Sequence, residues 1–332
     1  MKAERRNLHT MTADEYIQAA PTLVLYDSLT KTRSVLEQYQ NVLVSVSGGA
    51  DSDDMVDVVE HLKTERQRIT YVWFDTGIEM AATKRHLADL QEKYKIEIKR
   101  EKGAMPVAGA VKSVGYPFYS KNFSESIYRL QRHGFEWEDE PFDVLLKKYP
   151  NCRAALRWWC NNYKDGPHRP LQTEIGSARG MKEFMVKNPP NFLISKRCCD
   201  EAKKKAAYMA GRKYSADIQF TGVRRSEGGP RSTAIKSCMA DGAHGKRHYP
   251  LFWWRDSDKK AFEVAYGIVH SDAYTVYGCT RTGCAGCPFA GHFEKELEML
   301  HKYEPHLAVA VKNIFKPAYE YTRKYREFKN SL

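Results

Sequence analysis

NVLVSVSGGADSDDMVDVVE, Asn41 to Glu60, is the stretch on which the fold turns. Val42-Leu43-Val44-Ser45-Val46 is a β-branched apolar run, as expected of a buried strand. Ser47-Gly48-Gly49-Ala50-Asp51-Ser52 follows as a glycine-rich turn, and then Met55, Val56, Val58, Val59 and Leu62 recur at helical spacing. Strand, loop and helix in this order place the free N–H groups and positive end of a helix behind a loop that approaches a ligand closely. Ser47 and Ser52 add hydroxyls, and successive loop N–H groups form an anion nest, so the expected ligand is a phosphate. The stretch has no lysine and is not a Walker A loop. The plain alternative is an ordinary Gly-Gly turn in an α/β unit.

Working outward, Ile69-Thr70-Tyr71-Val72-Trp73-Phe74 is a second buried-strand pattern ending at Asp75-Thr76-Gly77. Strand, helix, strand at this spacing predicts a βαβ unit and a parallel sheet with helices on both faces. Ligands sit at the carboxyl ends of such strands, where Asp75 and Thr76 fall. Residues 1–40 read as a helical segment, with Thr12, Asp14 and Glu15 as a start signal and Leu23, Leu25, Leu29, Val35 and Leu36 as its face. Ala81 to Lys95 reads as a helix and Ile96-Glu97-Ile98 as a third strand. Phe123–Arg132 and Met181–Met185 read as further helices, and Arg157-Trp158-Trp159-Cys160, leading to Lys164, reads either as a tryptophan-rich packing segment or, by faint resemblance, as the Arg-Trp-Cys…Lys element of PAPS reductase relatives. Gln219-Phe220-Thr221-Gly222 runs into a turn with Arg224, Arg225, Glu227 and Arg231, whose planar guanidinium groups suit phosphate or sulfate and where Glu227 is expected to hold an arginine; a solvated basic hairpin is the alternative. After it, Pro250-Leu251-Phe252-Trp253-Trp254, with both tryptophans expected in the core, precedes a helix over Asp258–Tyr266.

The chain has 332 residues, 42% hydrophobic and 28% charged, which is globular composition with room for one large domain or two modest ones. No apolar stretch is long enough to span a membrane and no secretory signal opens the sequence, so a cytoplasmic location is expected. The net charge of +12 points to a polyanionic partner, a nucleic acid or a phosphorylated small molecule. In a reducing compartment the eight cysteines read as metal or redox groups rather than disulfides. Cys198-Cys199 lie on a basic segment, and Cys284-Ala285-Gly286-Cys287-Pro288 is a C-x-x-C. Two pairs of thiolates fit tetrahedral zinc or a [4Fe–4S] cluster, and neighbouring Arg197, Lys203, Lys204 and Arg281 favour the thiolate form. Buried, unligated thiols are the third possibility, and Cys238 is a fifth candidate ligand in place of Cys198.

These pieces resemble one family. Ser47-Gly48-Gly49-Ala50-Asp51-Ser52 looks like the SGGxDS loop of the PP-loop ATP pyrophosphatases and the related PAPS reductases. Asp75-Thr76-Gly77 is similar to that family's turn after strand two, and Gly222, Arg224, Glu227 and Arg231 match its G-x-R-x-x-E-x-x-x-R element, with Gly228 where serine is usual. The cysteine pairs resemble the ligands of the cluster-bearing adenylylsulfate reductases. The resemblance covers residues 40–292 and implies an adenine nucleotide alpha hydrolase-like α/β fold with a cysteine-rich C-terminal part. The implied organisation is a helical segment over 1–40, a PP-loop domain over 41–292 and a basic helical tail over 293–332. The resemblance implies nucleotide contacts at Ser45, Ser47, Gly48, Gly49, Asp51, Ser52, Asp75, Thr76, Gly222, Arg224 and Arg231, with Asp51, Asp75 and Arg224 catalytic. It implies a [4Fe–4S] cluster on Cys198, Cys199, Cys284 and Cys287, ATP or a sulfonucleotide, and magnesium with ATP.

One departure bears on the reaction. Thiol-dependent sulfonucleotide reductases carry a catalytic cysteine beyond the C-x-x-C, and this chain has none after Cys287, leaving Cys160, Cys238 or Cys279 as substitutes. The expectation is therefore an adenylating ATP pyrophosphatase that works with the cluster in sulfur transfer, with a nucleic acid as acceptor and a cysteine desulfurase or other sulfur donor as partner. Reduction of adenylylsulfate or its phosphorylated form to sulfite is the alternative, and a non-catalytic nucleotide-binding protein with a structural metal the third.

Overall fold

The Val42–Val46 run forms β1 (Asn41–Val46), whose alternate residues face opposite sides of the sheet in a computed structural model that describes residues 11–164, 169–228, 234–242 and 245–332. Val42, Val44 and Val46 face one helical layer, while Leu43 faces the other with Val72, Phe74 and Ala210. The first layer comes from α1 (Ala13–Gln18), α2 (Leu23–Gln38), α3 (Ala50–Leu62) and α4 (Ala81–Tyr94). The second uses the Lys205–Lys213 helix. α1 starts as its sequence dictates: Thr12 accepts from the Glu15 N–H and Glu15 accepts from the Thr12 N–H, a reciprocal cap. On α2, Leu25, Leu29, Val35 and Leu36 are buried, but Leu23, expected on the same face, is 81% exposed because it occupies the first helical position.

The sheet has six strands in the order β3-β2-β1-β4-β6-β5, where β2 is Arg68–Asp75, β3 Ile98–Lys102, β4 Ile218–Thr221, β5 Met239–Ala240 and β6 Lys246–His248. All pairings are parallel except β5 with β6. This is the parallel α/β sheet between helices expected from the strand–helix–strand pattern. β3 begins where its expected span of Ile96–Ile98 ends; it is an edge strand, and a charged Ile-Lys-Arg-Glu-Lys sequence suits an edge. From β1 the chain moves outward to β2 and β3, then returns on the other side of β1 as β4. β1 and β4 therefore flank the point where the strand order reverses, which is where open α/β sheets bind ligands.

The chain divides into two units, residues 1–103 with 203–283, and residues 104–202 with 284–332. The first holds the sheet and the 1–40 segment. The second is helical, around Phe118, Phe123, Ile127, Trp158, Trp159 and Phe184. The Trp158-Trp159 segment is packing, both rings being fully buried. Residues 293–332 form three helices of this unit, and their Tyr319, Tyr321 and Tyr325 are buried in it. These tyrosines are thus packing residues, while Arg323 and Lys324 remain exposed. No helix among the described residues is long and apolar enough to cross a membrane.

Candidate functional site

In the first unit, the turn after β1 is shaped by Gly48, in the left-handed region at φ 63°, where a Cβ would come within 2.7 Å of Thr83 Cγ2. Three donors converge on one oxygen: Ser47 N, Ser47 Oγ and Gly49 N each lie 3.2 Å from Ser52 Oγ, which in turn donates to Gly49 O at 2.8 Å. A hydroxyl that gathers three donors stands where an anion's oxygen would be held. Ser45 lies two residues before Ser47, on β1, in register with Val72 on one side and Thr221 on the other.

From the other side of the switch point, the turn after β4 closes on the loop. A Cβ on Gly222 would sit 2.6 Å from the Asp51 carbonyl oxygen and 3.3 Å from Ser52 N, so only glycine lets β4 approach the first turn of α3. Two residues on, Arg224, only 9% exposed, donates through Nε to Asp51 Oδ1 at 3.0 Å and through a terminal nitrogen to Asp256 Oδ1 at 2.6 Å and Ser226 Oγ at 3.1 Å. Glu227's carboxylate accepts from the Arg224 backbone N–H at 3.1 Å and so fixes the turn that carries Arg224. Arg231 lies outside the described residues.

Asp75 ends β2 and Thr76 follows it; the register sets Trp73 opposite Val46, so both stand at the same carboxyl edge as the Ser47 loop. Asp75 accepts from Gly77 N at 2.8 Å and from Arg100 Nε at 2.6 Å. Burial alone would raise its carboxyl, and the Arg100 and Gly77 bonds overcome that and hold it below the ordinary carboxylate value. Glu79, raised by burial and by the neighbouring Asp75, accepts from Thr76 N at 2.8 Å and Thr76 Oγ1 at 2.6 Å. In this structure Asp75 is therefore a partner of Arg100, not of the loop.

Four residues at this site had no sequence signal. Tyr274 Oη accepts from Ala50 N at 3.1 Å and from Thr282 N at 3.2 Å, and a Cβ on Gly49 would meet Thr282 Oγ1 at 2.8 Å. Tyr274 and Thr282 thus roof the glycine turn. Lys259 lies 3.3 Å from the same Asp51 Oδ1 that Arg224 uses, and Arg100 holds Asp75. Each is a single polar residue delivered from a distant element. Trp254 is buried as expected, but Trp253 is 48% exposed with the Arg225 guanidinium 5.7 Å from its ring, because the turn Leu251–Trp254 can bury only one of two adjacent rings.

The second unit gathers the cysteine pairs. Cys198 is buried and hydrogen-bonded to Cys199, and its thiol is raised by that bond, by burial and by Cys287 and Cys284 nearby. Cys287 is pushed up to about 12 by burial and by Cys284 and Cys199, while the Phe289 N–H pulls it the other way. Residues some 85 positions apart in sequence are thus electrostatic neighbours (Cys198 with Cys284, Cys199 with Cys287). The C-x-x-C turn is fixed by Gly286 at φ 63°, whose N–H donates to Glu296 Oε1 at 3.0 Å and whose carbonyl accepts from Tyr319 Oη. Cys198 and Cys199 are followed by a π turn at Asp200–Lys204, a feature that recurs at functional sites. Cys198, Cys199, Cys284 and Cys287 thus lie close enough to act on one another, the Phe289 N–H is directed at the Cys287 sulfur, and four cysteine sulfurs with such a donor are a ligand set that suits a thiolate-binding metal centre. Cys238 lies in the first unit, where its carbonyl accepts from His248 Nδ1 at 3.0 Å. Cys160 is raised to about 11 by burial, a poor start for a nucleophile.

No family's sequence profile matches the chain, and no curated protein matches it. Among solved structures it is similar to phosphoadenylyl-sulfate (PAPS) reductase from Candida auris in its phosphate complex, at 12% identity and TM-score 0.41, over 83% of this chain and 96% of that one. It is similar to the U34-tRNA thiolase NcsA from Methanococcus maripaludis with its [4Fe–4S] cluster, at 13% identity and TM-score 0.39, over 93% and 80%. It is also similar to the NH3-dependent NAD synthetase from Campylobacter jejuni in complex with nitrate, at 12% and 0.36, over 90% and 94%.

Proposed function

We propose that the chain is a nucleotide-dependent enzyme of the PP-loop and PAPS reductase type that adenylates an acceptor and, with a [4Fe–4S] cluster, takes part in putting sulfur into it. The observation that carries this reading is the convergence of Ser47 N, Ser47 Oγ and Gly49 N on one oxygen at the point where the strand order reverses. In the proposed reaction the β- and γ-phosphates of ATP displace Ser52 Oγ from the Ser47 and Gly49 donors. Arg224 faces the charge that builds on the leaving pyrophosphate. An acceptor oxygen attacks the α-phosphorus, the bond from that phosphorus to the bridging oxygen breaks, and pyrophosphate leaves with the electron pair. A sulfur nucleophile then displaces AMP. Magnesium would travel on the nucleotide's own phosphates, since Asp51 Oδ1 already takes both Arg224 and Lys259.

Cys198, Cys199, Cys284 and Cys287 would hold the cluster, which when bound supplies a centre able to carry electrons or sulfur. Adjacent cysteines ligate a single tetrahedral ion awkwardly, whereas a cluster offers each thiolate its own iron; that favours iron over zinc here. The net charge of +12 and exposed cations such as Arg323 and Lys324 support a nucleic acid as acceptor. The test is a paired assay on protein purified without oxygen. ATP-dependent exchange of labelled pyrophosphate supports adenylation. Sulfite release from a sulfonucleotide without exchange replaces it with the reductase reading. Tight nucleotide binding with neither activity leaves a non-catalytic binding protein.

A further inference from the structure

Behind the glycine loop lies a group of charges of which the nucleotide reading uses only Asp51. The first turn of α3 carries Asp51 and Asp53, and Asp54, which follows directly, is fully buried. The Asp256–Ala265 helix brings Lys259 and Glu263, one helical turn apart, against that turn. The Lys259 ammonium is 2.6 Å from Asp54 Oδ2, 2.6 Å from Glu263 Oε1 and 3.3 Å from Asp51 Oδ1. The ammonium donates to Asp54 and forms ion pairs with Glu263 and Asp51, so three carboxylates surround it. Even so, Asp54 Oδ1 is buried with no hydrogen-bond partner, an oxygen facing a cation site that Lys259 fills only in part. The donors are packed as densely as in a metal site, with one ligand atom each of Asp54, Glu263 and His270 within 4.8 Å of one another.

We propose that Lys259 is a resident cation of the phosphate loop: its ammonium fills a site formed by Asp51, Asp54 and Glu263 that would otherwise take a divalent metal ion, and it delivers Asp51 to the bound nucleotide already neutralised. The oxygen it shares with Arg224 is the reason. A bare Asp51 carboxylate at the foot of the loop would repel incoming phosphates, while one held by two cations does not. Hard carboxylate oxygens of this number suit Mg2+ or Mn2+, but a divalent ion has no place while the ammonium stands among them. The electrostatics agree: Glu263 is held down to about 2 by His270 and Lys259 although burial opposes it. Burial pushes Asp54 up to about 7 although Lys259 opposes that. Removing the ammonium therefore leaves Asp54 open to a proton or to another cation, and Mn2+ is the cation offered in the test.

Lys259 is thus a positioning residue, and its test reads metal uptake as well as function. Manganese chloride is the probe, with bound Mn2+ counted by electron paramagnetic resonance and stability followed by thermal melting. The parent should bind no Mn2+ tightly at this site, and its Tm should not move. Lys259→Ala should melt lower, bind one Mn2+ per chain and recover Tm with it, and Lys259→Ala combined with Asp54→Asn should lose that ion. Lys259→Arg should behave as the parent. A Lys259→Ala protein that melts like the parent, that takes up no Mn2+, or that is unfolded and not restored by Mn2+ overturns the proposal. The statement about Asp51 rests on the nucleotide reading: pyrophosphate affinity should fall about tenfold in Lys259→Ala, as for one lost charged partner, and return with Mn2+. A parent that binds no pyrophosphate would defeat the nucleotide reading and leave the manganese result standing.

Discussion

Gly222→Ala should disable the phosphate loop by a steric route alone. The added Cβ would stand 2.6 Å from the Asp51 carbonyl oxygen, 3.0 Å from the Asp51 carbonyl carbon and 3.3 Å from Ser52 N. All three atoms are backbone of the first turn of α3, so no flexible side chain can yield, and Asp51 must retreat by several tenths of an ångström. That movement drags Ser52, whose Oγ holds the Ser47 and Gly49 N–H groups, and strains the Arg224 bond to Asp51. Overpacking of this kind costs about 1–3 kcal/mol. At about 2–4 °C per kcal/mol for a unit of this size, Tm should fall by several degrees with the fold retained. The larger loss is in binding, since displaced donors no longer meet a phosphate. Pyrophosphate or ATP affinity, by calorimetry on the folded variant, should drop tenfold or more, about 1.4 kcal/mol. Gly242→Ala, where an added Cβ meets nothing within 4 Å, is the control and should match the parent. Parent-like melting and affinity in Gly222→Ala would refute the packing of β4 on the loop.

Other outcomes follow from the same geometry. Arg224→Ala removes charge-assisted bonds to Asp51 and Asp256, and should weaken phosphate binding by about 1.5–3 kcal/mol, with Arg224→Lys in between; calorimetry within error of the parent would count against its role. Tyr274→Phe strips the acceptor of Ala50 N and Thr282 N and should cost about 1 kcal/mol or more in urea melts, without any change in helix content by circular dichroism. His248, 1% exposed, is held neutral by burial, down to about 4 from an ordinary 6.5. Its folded value is depressed, so its contribution is whole above pH 6.5 and is lost as pH falls toward 4, about 3 kcal/mol in all; His248→Gln should flatten stability against pH in that window.

Where sequence and structure agree, short-range physics made the pattern. The β-branched run, the paired glycines and the apolar periodicity of α3 each state a local conformation, and Asn41–Leu62 folds as they say. Gly222 and Arg224 were legible as a turn with a cation, and Cys198, Cys199, Cys284 and Cys287 as two thiol pairs. What could not be read is long-range. Tyr274 and Thr282 over the turn, Lys259 beneath it and Arg100 on Asp75 are lone polar residues whose neighbours are chosen by topology. The edge strand Ile98–Lys102 hides its strand character under charge because one side of it has no partner strand. Two adjacent tryptophans gave no hint that Trp253 would stay exposed while Trp254 is buried.

We propose that one chain carries both a phosphate loop and a cluster held by four cysteines, and metal analysis of anaerobically purified protein tests this most directly. The expected result is brown protein with about four irons per chain and broad absorption toward the blue, most of both lost in Cys284→Ser or Cys287→Ser. Colourless protein that holds one zinc and gains no iron on anaerobic reconstitution would contradict it.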